Sequence, residues 1–85
     1  MDDDRRIKKY VDVSAVFTSS GQLMPKRIMT DDGMKYTIDR ITEIRRAAST
    51  RAGGSGIRYT CSISGRQCYL FYEENFRWFV EMKAS

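Results

Sequence analysis

Between Ile57 and Met82 apolar and polar residues alternate with a regularity that a β-sheet satisfies and a helix does not. In Ile57-Arg58-Tyr59-Thr60-Cys61-Ser62-Ile63 every second residue is apolar. Cys68, Leu70 and Tyr72, then Phe76, Trp78, Val80 and Met82, carry the pattern onto two further strands. Successive side chains of a strand point to opposite sides, so all of these share one face, the expected core. Gly65-Arg66 fits a two-residue type II′ turn, which favours glycine first. It pairs Ile63 with Cys68, Cys61 with Leu70 and Tyr59 with Tyr72. Glu73-Glu74-Asn75 fits a three-residue turn with Asn75 left-handed. It pairs Tyr72 with Phe76, Leu70 with Trp78 and Cys68 with Val80. In this register Cys61 and Cys68 lie diagonally, about 7–8 Å apart. That is at or beyond disulfide reach, so two buried, reduced thiols are expected.

The rest of the chain reads in the same way. Residues 1–9 form a flexible charged leader, Asp2-Asp3-Asp4 followed by Arg5, Arg6, Lys8 and Lys9, and residues 10–85 form a single small β domain. A first strand runs from Tyr10 to Phe17, and Thr18-Ser19-Ser20-Gly21 turns the chain. Pro25 opens an edge strand, Asp31-Asp32-Gly33 marks a hairpin, and Tyr36 and Ile38 return to the core. Over residues 38–48, Ile38, Ile41 and Ile44 recur every three residues, as on a short helix. The β-branched content of Thr37 to Ile44 instead favours a strand with a bulge near Asp39-Arg40, the preferred reading. Arg46 to Gly56 is a loop of small residues. These elements predict an all-β fold, a small strongly bent antiparallel sheet or SH3-like barrel of five to six strands.

Charge distribution constrains function more than total charge. The formal net charge is +4; residues 1–39 balance, residues 40–66 carry six arginines against Glu43 alone, and residues 67–85 carry −1. The absence of histidine removes the usual neutral-pH base and the commonest metal ligand. Asp31-Asp32 and Glu73-Glu74 fall at turn tips, and two cysteines alone cannot complete a zinc site. No enzyme, cofactor or metal is expected. Gly53-Gly54-Ser55-Gly56 lacks the ending of a phosphate-binding loop and reads as a connection. No apolar run is long enough to cross a membrane as a helix, and no signal peptide is visible, so a cytoplasmic protein is expected.

The face of the C-terminal strands that the core does not use carries Tyr69, Phe71 and Phe79 among Arg58 and Arg77. Aromatics interleaved with arginine on an open sheet stack and hold single-stranded nucleic acid. With Arg45, Arg46 and Arg51 from the basic segment, these residues form a candidate nucleic-acid surface. The same aromatic face could serve a protein-interaction or homodimeric structural module instead. Packing of Tyr10 to Thr30 across it would make it a second core layer.

The residues Asp32-Gly33, Tyr36, Ile38-Asp39-Arg40, Ala47-Ala48, Gly53-Gly54, Arg58-Tyr59-Thr60, Leu70-Phe71 and Arg77-Trp78-Phe79-Val80-Glu81 resemble a group of short, uncharacterised bacterial proteins. The resemblance spans about Val11 to Glu81. It implies a bacterial cytoplasmic protein and a stand-alone small β domain, and it assigns no activity or functional residue.

Overall fold

The structure, a computed structural model, describes residues 6–48 and 55–83. Seven strands follow one another, β1 (Arg6–Phe17), β2 (Leu23–Met29), β3 (Lys35–Thr37), β4 (Arg40–Ala48), β5 (Ser55–Ile63), β6 (Arg66–Glu73) and β7 (Trp78–Lys83). They form one antiparallel sheet in the order β3-β2-β1-β7-β6-β5-β4. The all-β fold and strongly bent sheet expected from the sequence are present. Bending follows from β1, which pairs with β7 over Arg6 to Val11 and with β2 over Asp12 to Phe17, with a bulge between Ser14 and Ala15. A bulge leaves one residue unpaired and increases local twist. Arg6 to Lys9 therefore belong to β1 rather than to a leader, and residues 1–5 lie outside the described part.

The stretch over residues 38–48 is a bulged strand, not a helix. The bulge falls at Thr42, between Ile41 and Glu43, and not at Asp39-Arg40. Ile38-Asp39 instead forms a corner that divides β3 from β4 and gives the seventh strand. The Ile38 amide donates to the Lys26 carbonyl on the β2 side, and the Asp39 amide to the Ser62 carbonyl on the β5 side (3.0 and 2.9 Å). This corner carries the chain from one edge of the sheet to the other.

Both C-terminal hairpins differ from the expected register by two residues. The first turn is Ser64-Gly65, with φ of 51° and 77°, not Gly65-Arg66. Two positive φ values are the signature of type I′. Asp39 Oδ2 accepts the Ser64 amide at 2.8 Å, which holds Ser64 in the turn. The second loop is Glu74-Asn75-Phe76, closed by the Glu73 amide on the Arg77 carbonyl, with Phe76 rather than Asn75 left-handed at φ 66°. Asn75 Oδ1 accepts the Arg77 amide at 3.1 Å instead. A slip of two residues preserves each side chain's face and changes its partner. Cys61 thus faces Cys68 directly, Tyr59 faces Leu70 and Tyr72 faces Trp78.

The inner side of the bend holds the core. Val11, Ile28, Tyr59, Cys61 and Leu70 are buried, with Ile41, Ile57, Tyr72 and Val80 packed against them. Trp78 is half-buried, its ring 4.6 Å from Tyr72 and 5.6 Å from Tyr59. Phe76 has left the core row altogether.

Candidate functional site

On the outer face one row runs straight across five strands: Tyr10, Phe79, Phe71, Arg58 and Arg45. Phe71 and Phe79 stack in parallel with centres 4.8 Å apart. They are 1% and 0% exposed. Tyr10 meets Phe79 edge-on at 6.0 Å, and Lys8 Nζ stands 5.0 Å from the Phe79 ring. Base stacking requires an accessible ring face, so the role expected of Phe71 and Phe79 is not available to them. They form a second buried cluster.

The cations of this face are held by neighbours. Lys8 Nζ donates to Glu73 Oε2 at 2.7 Å, and the Tyr10 hydroxyl donates to Glu73 Oε1 at 2.6 Å. The Lys8 bond and then the Tyr10 bond hold the Glu73 carboxyl below its ordinary pKa, and the same Glu73 bond raises Lys8. Arg58 Nη2 donates to Glu43 Oε1 at 3.0 Å, its guanidinium lies 4.6 Å from the Tyr69 ring, and its buried Nε has no partner. Arg77 lies over the Tyr10 ring at 3.5 Å. Arg45, Arg58, Tyr69, Phe71, Arg77 and Phe79 thus come together on one face, with Tyr69 the exposed ring among them. Arg45 faces Arg58, whereas Arg46 faces Ile57 and so points to the inner side. Arg51 lies outside the described residues.

The inner side opens at one end into an apolar cleft of about 440 Å³. Phe17, Leu23, Ile44, Ile57, Tyr72 and Phe76 line it, with Tyr59 at its floor donating its hydroxyl to the Leu23 carbonyl. Its lips are open to solvent: Phe17 is 74% exposed, Phe76 79% and Ile44 42%. Arg46 and Glu74 border an adjoining recess that shares Ile57, Tyr72 and Phe76. Sequence alternation assigned Phe76 to the core face and placed Phe17 and Ile44 only within strands, and so missed the cleft.

Among the described residues no group of three His, Cys, Asp or Glu side chains is placed to hold a metal ion. No described helix is long and apolar enough to cross a membrane. Comparison with family models, curated proteins and solved structures finds no match.

Proposed function

We propose that this chain is a non-catalytic interaction module of the bacterial cytoplasm that receives an apolar part of a protein partner in the cleft between Phe17, Ile44 and Phe76. The observation that carries this reading is the pair of strongly exposed phenylalanines, Phe17 and Phe76, that line an apolar cleft. Clustered exposed apolar side chains in a concave site mark recognition surfaces, where burial of aromatics supplies most of the binding energy. The volume lies within the ordinary range of ligand pockets, roughly 300–1,000 Å³.

A second reading, nucleic-acid binding, is favoured by the exposed Arg40, Arg45, Arg46 and Tyr69. Against it, the stacking rings Phe71 and Phe79 are buried, and Lys8 and Arg58 are engaged by carboxylates. Selection of displayed random peptides, followed by titration against wild type and a Phe17→Ser/Phe76→Ser variant, tests the first reading. Enriched peptides should be rich in apolar residues and should lose binding in the variant. The second reading instead expects single-stranded oligonucleotides to bind with a log–log salt slope of about −0.7 per phosphate contact, reduced by Arg45→Ala.

A further inference from the structure

We propose that the partner segment docks as an added β-strand along the free edge of β4, and that its outward residues are acidic. This rests on the reading of the cleft as a protein-binding site and specifies how that site is entered. Among the described residues, β4 is the terminal strand of the sheet and pairs only with β5. An edge strand presents a row of unpaired amide and carbonyl groups, the template used when an extended peptide joins a sheet. The opposite edge, β3, has three residues against nine in β4 and offers far less ladder. The bulge at Thr42 disturbs the first part of β4, so Glu43 to Ala48 is the regular segment available for pairing.

The cleft begins at this edge. Ile44 forms its wall, and Tyr59 faces Ile44 on the next strand inward. Alternate side chains of a strand laid beside β4 would therefore fall into the cleft, and the ones between would lie on the outer side beside Arg45. Main-chain bonds and side-chain pockets then act together, as strand addition requires.

Charge selects the occupant. On its outer side β4 carries Arg40 and Arg45, both exposed, against a single acid, Glu43, which Arg58 already holds at 3.0 Å. Opposite charges across neighbouring strands stabilise pairing and like charges oppose it. An incoming strand with glutamate or aspartate at its outward positions fits this edge. A second copy of the chain would bring an equally arginine-rich β4 and fits it poorly.

The probe is a capped synthetic peptide of about eight residues alternating valine and glutamate. Controls replace glutamate with lysine, or methylate alternate backbone nitrogens. Binding is followed by tryptophan fluorescence and by amide hydrogen exchange of the full chain. The glutamate peptide should bind and slow exchange at β4, whereas the lysine and N-methylated peptides should bind about tenfold or more weakly, a loss of roughly 1.4 kcal/mol. Arg45→Glu should invert the preference between glutamate and lysine peptides. Equal binding of the N-methylated peptide, or binding with β4 exchange unchanged, overturns strand addition. If that binding is still lost in Phe17→Ser/Phe76→Ser, the cleft reading survives on its own. Failure of every apolar peptide to bind wild type overturns both, and sedimentation as a dimer that Arg45→Glu strengthens would assign the edge to a second copy.

Discussion

Gly56 faces Glu73 across β5 and β6, and a methyl group there would fall 2.0 Å from the Tyr72 carbonyl oxygen. Backbone cannot yield as a flexible side chain can, so Gly56→Ala is expected to destabilise the fold by about 1–3 kcal/mol, seen as a lower urea midpoint. Glu73 is 8% exposed and joins Lys8 and Tyr10. Its folded carboxyl ionises below the ordinary value of 4.5, so its contribution is complete above that pH. It is lost as pH falls through the lowered folded value. Lys8, raised above 10.5, loses its share only as alkaline pH passes the raised value. Glu73→Gln should cost about 1–3 kcal/mol at neutral pH and flatten the acid limb of the thermal melting profile. The thiols differ in turn: a hydrogen bond with Cys68, and then burial, push Cys61 up, while the same bond draws Cys68 down. Native alkylation followed by mass spectrometry should therefore find Cys68 modified first and Cys61 protected.

At the scale of elements, the β5–β6 turn places Ser64 in a left-handed conformation that asparagine adopts more readily. Ser64→Asn creates the Asn-Gly pair preferred in type I′ turns and should add roughly 0.5–1 kcal/mol, read in thermal denaturation. The same turn explains how far the sequence could be read. Alternation over Ile57 to Tyr72 identified strands and faces, because side-chain period is a local property. Register depended on which two residues took positive φ, and that was decided by Asp39 accepting the Ser64 amide from 25 positions away. The Thr42 bulge was legible as a change of phase around Ile38 to Ile44, but its exact position was set by pairing with β5. At the site, the arginines and Tyr69 were legible as exposed residues. The burial of Phe71 and Phe79 was legible only as one alternative, packing of Tyr10 to Thr30 across the face, and not in its detail, since Phe79 is covered by Tyr10 together with Lys8, a residue read as part of the leader.

For the molecule as a whole, the sheet is stabilised on both sides. The inner core and the Phe71–Phe79 stack lie on opposite faces of β6 and β7. Phe79→Ala should cost about 3–5 kcal/mol, a large share of the stability of a domain this small. Phe76→Ala, at a ring 79% exposed, should stay within about 0.5 kcal/mol. Equilibrium urea unfolding of the two variants separates a structural phenylalanine from one left on display for binding.

The seventh strand in chain order is the middle strand of the sheet. On a growing nascent chain, β1–β2–β3 can zip up as one local meander and β4–β5–β6 as another, joined by the Ile38-Asp39 corner. The two are joined into one hydrogen-bonded sheet when Trp78 to Lys83 has been synthesised and slides between Arg6–Val11 and Leu70–Tyr72. Contacts of such long sequence separation demand loop closure before they reward it, so the fold completes late and at once. A ribosome stalled before β7 would expose two half-sheets, each with an open edge, and the keystone of the arch would be the last piece laid.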